Sequence, residues 1–342
     1  MSRAPVTVGI VGCGLIGHKR AQALAADRLL GATDPVAERA RELVEAYGGR
    51  ACADIDELLA LGPDVVVVAA THDQLAALAQ RALAAGAHVL VEKPAGLGTD
   101  DVDRLARAAA AADRRLKVGF NHRFHPAIAE LAAEVHAGRH GELMHIRARY
   151  GHGGRIGYDR EWRAQVQRSG GGELIDQGMH LLDLSHWLAG PLPLHSALLR
   201  THFWETEVED NAALILGVAD DRTAPWAMLH VTWTEWKNLF SLEVYCRTAK
   251  LQVDGLVRSY GPQRLRIYRM GPELGAPDLE ERSFGAQDLS WGREWEHFVT
   301  AISSGAPISG DIDDARYAWA RVQEAYATAP GYAALRATLA HR

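Results

Sequence analysis

The sequence predicts an α/β protein with an N-terminal doubly wound parallel sheet and a C-terminal α/β domain on a large, mostly antiparallel open sheet. Three observations carry this. Over residues 1–122, short β-branched runs alternate with amphipathic helical patterns, as in the strand–helix–strand units of a parallel sheet. The first unit holds Gly12-Cys13-Gly14-Leu15-Ile16-Gly17 between its strand and its helix. Over residues 123–342, strand-like runs follow one another with few helices between them, and Arg247-Thr248-Ala249 and Asp254-Gly255 have hairpin spacing.

In chain order, Val6–Val11 reads as a buried strand and His18 to about Ala26 as a helix. Leu29–Thr33 is the next strand. The glycines between strand and helix permit a tight turn and close approach of a pyrophosphate, which the helix N-terminus would receive. Asp34 lies 22 residues beyond Gly12, where a carboxylate would accept bonds from ribose hydroxyls. Pro35 opens a helix with Val36, Ala40, Leu43, Val44 and Tyr47 on its apolar face, and Asp54 with Glu57 resembles a capping box for a short helix through Leu61. Val65–Ala70 is a strand covered on both faces. A helix from about Gln74 to Ala85 leads to the strand His88–Val91; helix Thr99–Ala112 and strand Leu116–Phe120 complete the half.

Strand His88–Val91 ends in Glu92-Lys93-Pro94. Ligands of open parallel sheets bind at the carboxyl ends of the strands, which puts Lys93 at the crevice. Only five of the 37 Lys and Arg residues are Lys, so a Lys at such a place points to a need for a compact, titratable amine. Pro94 leaves the isomer of its peptide bond open.

The second half opens with helix Ala127–Ala137. Its strands are Leu143–Tyr150, Ser196–Phe203, Ala212–Val218, Ala227–Trp233, Leu239–Cys246, Lys250–Val253 and Leu265–Arg269, and helices return at Trp291–Ser303 and Ile312–Ala327. The stretch Gly170-Gly171-Gly172-Glu173-Leu174-Ile175-Asp176-Gln177-Gly178-Met179-His180-Leu181-Leu182-Asp183 stands out. If Glu173 onward is helical, Asp176 and His180 share a face one turn apart, and Asp183 extends the stripe. A carboxylate beside an imidazole suits acid–base chemistry. The same pattern fits a helix whose His merely satisfies a polar contact, and the stretch alone does not choose. Just before it, His152 to Arg163 is Gly-rich and carries Arg155, Tyr158, Trp162 and Arg163. Arg can clamp carboxylate or phosphate, and aromatic rings can stack on sugar or base faces; an ordinary solvated loop reads the same way. Trp233, Trp236 and Lys237 fit packing as well as binding. No His grouping has convincing metal spacing, so no metal is expected.

Composition narrows the classes. A net charge of −6 gives no reason to expect nucleic acid or an anionic membrane as partner. Three scattered cysteines fit a reducing compartment, no apolar run reaches spanning length, and no signal segment is seen, so a cytoplasmic protein is expected.

Taken together, the Gly12–Gly17 fingerprint, Glu92-Lys93-Pro94, Gly119-Phe120-Asn121-His122-Arg123-Phe124, Trp162-Arg163, the Gly170–Asp183 stretch and Glu209-Asp210-Asn211 resemble the glucose–fructose oxidoreductase/inositol dehydrogenase (Gfo/Idh/MocA) family over the whole chain. The resemblance implies a Rossmann domain at 1–122, binding NAD through Gly12, Gly14, Leu15, Ile16, Gly17, Asp34, Thr71, His72, Glu92, Lys93 and Asn121. It implies a substrate-binding and oligomerisation domain at 123–342, in a homodimer or homotetramer. Lys93, Asp176 and His180 fall on the family's catalytic positions, with Arg123, His152, Arg155, Tyr158, Trp162 and Arg163 as further substrate contacts. Thr71-His72-Asp73 departs from the Thr-Pro-Asn of many members, and Gln177 is not the commonest residue at its place. The implied activity is NAD-dependent oxidation of a secondary alcohol of a sugar or nucleotide sugar, with C3 of a nucleoside-diphosphate hexose as the leading candidate. Cyclitol, inositol or free-sugar dehydrogenases and keto-sugar reductases are the alternatives within the fold. A non-catalytic NAD(H) sensor is the alternative from another class.

Overall fold

The computed structural model describes residues 4–333 and Ala337. The chain forms two compact units. Of the described residues, one takes 4–121 together with Trp291–Arg316; the other takes His122–Ser290 and 317–333. The boundary expected at 122/123 assigned Trp291–Arg316 to the second domain, whereas this stretch clusters with the first.

In the first unit the strands are β1 (Thr7–Val11), β2 (Arg28–Thr33), β3 (Arg50–Ala51), β4 (Val65–Val68), β5 (His88–Val91) and β6 (Leu116–Val118). They form one parallel sheet in the order β3-β2-β1-β4-β5-β6. The helices between them are α1 (Leu15–Gln22), α2 (Ala37–Tyr47), α3 (Ile55–Leu59), α4 (His72–Ala84) and α5 (Thr99–Ala112). α1 starts and ends earlier than the periodicity suggested, because Gly14 itself serves as N-cap. The box at α3 is offset: Asp54 accepts from the Glu57 N–H at 2.9 Å, but the Glu57 carboxylate reaches the Ala53 N–H. Trp295, Phe298 and Val299, far along the chain, pack with Val8, Ile10, Leu29 and Leu43 in one core. Neither length nor periodicity separates a helix that returns to an earlier domain from one that stays in its own.

In the second unit α6 (Pro126–His136) precedes β7 (Leu143–Gly151). The short helix α7 (Val166–Ser169) and a π-turn (Leu174–Gly178) lead into α8 (Met179–Ala189). Then come β8 (Leu194–Arg200), β9 (Asn211–Leu216), β10 (Trp226–Thr232), β11 (Leu239–Cys246), β12 (Ala249–Asp254), β13 (Arg264–Arg269) and β14 (Asp278–Ser283). The eight-stranded sheet runs β14-β13-β12-β11-β7-β10-β9-β8, antiparallel throughout except for β7 against β10. β14 escapes a sequence reading because DLEERS carries four charges and reads as a solvated loop. Helices α9 (Ser290–Ser304) and α10 (Ile312–Ala327) follow. Among the described residues no helix is long and apolar enough to cross a membrane, and Cys13, Cys52 and Cys246 are free and buried.

Candidate active site

The first unit builds a dinucleotide cradle. Gly12 has φ +92°, and a Cβ there would sit 2.4 Å from the Ala69 carbonyl oxygen; one on Gly17 would sit 2.2 Å from that of Gly12. Above Gly14, by contrast, the space is open. The first turn of α1 has no side-chain cap and no acidic residue, so its N–H groups suit a phosphate. Asp34, at the end of β2, accepts from the backbone N–H groups of Cys13 and Val36, each at 2.8 Å. A carboxylate has about four lone-pair sites, so ribose hydroxyls can still be accepted. Arg39 stands 4.0 Å away on α2. Leu15 is exposed on the cradle, Ile16 is half-buried, and His72 is buried at the first position of α4 after the Thr71 N-cap. The residues present fit the dinucleotide the fingerprint implies.

Glu92 and Lys93 follow β5, and the Lys93–Pro94 bond is cis. Glu92 is buried and takes Arg20 Nε at 2.7 Å. Arg20 also reaches Glu294 at 2.6 Å, and Lys117 stands 3.3 Å from the same Glu294. Burial pushes Glu92 above its usual value, and Arg20 opposes that. Gly119 leaves room for this network, since a Cβ there would lie 2.7 Å from the Arg20 guanidinium. Asn121 is buried at the start of a 3₁₀ turn.

The second unit holds the acid–base candidates. The expected regular helix from Glu173 is a π-turn that passes into α8 at Met179, a bulge of the kind that recurs at functional sites. Asp176 on this turn pairs with Arg163 at 3.2 Å and accepts a long bond, 3.4 Å, from the Tyr158 hydroxyl. His180 is buried and stacks on His122, with ring centroids 3.7 Å apart. His122 in turn meets the Tyr150 hydroxyl at 3.2 Å, and Gln177 donates to Tyr260 at 3.1 Å beside it. Burial raises both tyrosine hydroxyls. Sequence reasoning missed Tyr150 and Tyr260 and held His122 only as part of the Gly119–Phe124 landmark. Strand-end and loop tyrosines carry no signal until the chain is folded.

Other expected contacts are spent internally. Arg123, expected to hold substrate, is buried in a bidentate pair with Asp183, at 2.9 and 2.5 Å, and lies over Trp187. Asp183 therefore anchors Arg123 rather than extending the Asp176–His180 stripe. Arg155 pairs with Glu161 at 2.7 Å and covers the Tyr158 ring. Arg163 lies over Trp162 as well as on Asp176. Trp233 is buried against Tyr158, which makes it packing.

His152, Glu173 and Asp176 bring their ligand-type atoms within 4.8 Å of one another. The Gly154 N–H donates to His152 Nδ1 at 2.9 Å, so the neutral ring carries its proton on Nε2 and donates there. Burial holds His152 below its usual pKa, with Arg163 and Arg155 adding to this and Asp176 opposing it. The grouping has the spacing of a metal site, which the histidine spacing in the sequence did not suggest.

A Rossmann sheet with this fingerprint defines the class: a dinucleotide-binding protein that also carries a largely antiparallel domain. The NAD-binding Rossmann domain of the GFO/IDH/MocA oxidoreductases matches residues 6–120, and the family's C-terminal domain matches residues 128–252. The chain belongs to the GFO/IDH/MocA family. It is 39% identical to a UDP-N-acetylglucosamine 3-dehydrogenase of Acidithiobacillus ferrooxidans, over 35% of this chain and 38% of that one. It is 24% identical to an inositol 2-dehydrogenase of Rhizobium meliloti over 90% and 92%. The solved structure of the Acidithiobacillus ferrooxidans enzyme superposes with a TM-score of 0.81 at 24% identity, covering 96% and 99% of the two chains. Several relatives at 30–39% identity are matched over 38–65% of their own length.

Proposed function

We propose that the protein is an NAD-dependent dehydrogenase that oxidises a secondary alcohol of a sugar, its best substrate class being a nucleotide sugar oxidised at C3 to a keto sugar suited to later transamination. The bound dinucleotide supplies the hydride acceptor, nicotinamide C4. His180 takes the hydroxyl proton as general base, the role an imidazole beside a carboxylate suits. Asp176 holds the charge balance on that side, itself set by Arg163 and Tyr158. Lys93 hydrogen-bonds the reacting oxygen and stabilises its developing negative charge. Asp34 favours NAD, since its carboxylate repels a 2′-phosphate.

The observation that carries the reading is the π-turn that presents Asp176 and then His180, in a chain whose other unit holds the open Gly14 cradle. The similarity to a UDP-N-acetylglucosamine 3-dehydrogenase supports the nucleotide sugar. A specific observation favours a second reading, a free sugar or cyclitol: Arg155 and Arg163 are already paired with Glu161 and Asp176, which leaves fewer cations for a diphosphate.

The test is cofactor reduction against a panel of nucleotide sugars, free hexoses and cyclitols. The wild type is expected to turn over a nucleotide sugar best. His180→Ala is expected to lower kcat by roughly 10²–10⁴-fold and to remove the imidazole's own contribution to the acidic limb of the pH–rate profile. Equal turnover of free glucose or inositol would sink the diphosphate part. An active His180→Ala whose acidic limb survives, beside a Lys93→Met that has lost all pH dependence, would make Lys93 the base.

A further inference from the structure

Glu209-Asp210-Asn211 has a place in the sequence pattern but no role in the chemistry above. The structure puts it beneath the catalytic turn. Glu209 is fully buried just before β9. Its carboxylate accepts the Gly172 N–H at 3.1 and 3.2 Å, the Leu174 N–H at 3.0 Å and the Tyr326 hydroxyl at 2.8 Å from both oxygens. Its backbone carbonyl accepts the Glu173 N–H at 3.0 Å. Tyr326, on α10, also takes the Gly172 N–H at 3.3 Å.

These are the N–H groups a helical start leaves without intrahelical partners, and a cap on the same chain segment usually serves them. Here a carboxylate from a distant strand does so, and its charge also suits a helix start. The fit is tight enough to require bare glycines: a Cβ on Gly171 would lie 2.0 Å from the Tyr326 hydroxyl, and one on Gly172 2.0 Å from the Glu209 carbonyl oxygen. From this anchored point the chain runs directly into the reacting groups. The Asp176 N–H bonds back to the Gly172 carbonyl at 3.0 Å, and Leu174 opens the π-turn.

We infer that Glu209 and Tyr326 form a clamp that fixes the register of the Asp176–His180 turn, making both positioning residues for the oxidation. The inference rests on the functional reading above. Every contact to the Glu209 carboxylate comes from a donor, so the clamp requires the ionised acid. A proton on either oxygen would set a donor against the backbone N–H groups or force the Tyr326 hydroxyl to turn from donor to acceptor. The ionisable groups facing it are the hydroxyls of Tyr326 and, from the turn at residues 330–332, Tyr332, with Asp210 next in the chain. Burial pushes Glu209 up to about 7, against the pull of Tyr326 and the backbone N–H groups, so the clamp takes up a proton near neutral pH.

The experiment compares kcat, KM and pH–rate profiles of wild type, Tyr326→Phe, Glu209→Asp and His180→Ala. A wild-type circular-dichroism spectrum and a cooperative urea transition, together with retained dinucleotide binding read by fluorescence, certify that each variant is folded. Tyr326→Phe deletes one donor and raises the proton affinity of Glu209. It is expected to lower kcat about 10–100-fold at pH 7, as misplacement by an ångström does. Its acidic limb should move to higher pH, and much of the loss should be recovered at pH 9. Glu209→Asp keeps the charge but shortens the reach and should lower kcat at every pH. Wild-type kcat and an unmoved limb in folded Tyr326→Phe, with His180→Ala inactive, would overturn the clamp alone. A fully active His180→Ala would overturn the functional reading instead.

Discussion

Glu92 and Glu209 are both buried carboxylates, each at the edge of a strand and each next to residues with a proposed chemical role, yet they are satisfied in opposite ways. Glu92 lies against a full cation, Arg20, which is shared with Glu294, and Lys117 stands close to that second acid. Glu209 meets only neutral donors: two backbone N–H groups and a tyrosine hydroxyl. Charge balanced by charge is costly to break, because removing one partner strands the other in a low-dielectric interior. Charge balanced by dipoles keeps its geometry but stays close to accepting a proton. The first arrangement suits a rigid support under the Lys93 turn. The second makes the Asp176–His180 turn responsive to pH.

The sharpest break of this contrast is Arg20→Met. It leaves Glu92 and Glu294 buried without their shared cation and is expected to cost about 3–5 kcal/mol, read from the shift in the urea unfolding transition. A loss under 1 kcal/mol would mean that the network is not what supports the sheet end.

Next in size is the pH dependence of stability carried by Glu209. Its folded pKa of about 7 lies above the ordinary 4.5, so the stability it contributes is full below pH 4.5 and is lost as the pH rises through 7. The change is on the order of 3 kcal/mol. Glu209→Gln should flatten that slope in urea unfolding between pH 5 and 8; an unchanged slope would assign the titration elsewhere. Stability and alignment thus pull in opposite directions: protonation relieves the buried charge and loosens the turn.

The smallest expected effect concerns Asp34, which stands between the two designs, held by two backbone N–H groups with the exposed Arg39 at 4.0 Å. Asp34→Ala should reduce the kcat/KM preference for NAD over NADP by about tenfold to a hundredfold, as loss of one charge-assisted contact does. Arg39 then remains to meet a 2′-phosphate. An unaltered preference would place cofactor choice outside this carboxylate.

Much of the first unit was legible because its signals are local. The Gly12–Gly17 fingerprint, Asp34 and the alternation of valine-rich strands with amphipathic helices are fixed by backbone sterics and by burial on both faces of a parallel sheet, and these leave marks within a few residues. In the second unit the strands other than β14 were legible from their apolar runs, and the spacing of Asp176 and His180 could be read, but not the π-turn on which Asp176 sits. Tertiary structure decided the rest, because it depends on partners far apart in sequence. Packing against the first core claimed α9 for that unit, Asp183 claimed Arg123, and Asp176 claimed Arg163. Placing Tyr326 against Gly171 and Gly172, more than 150 residues earlier, gave Glu209 its donors. A hydrogen bond or an ion pair across such a separation leaves no period in the sequence; it exists only once the chain has closed on itself.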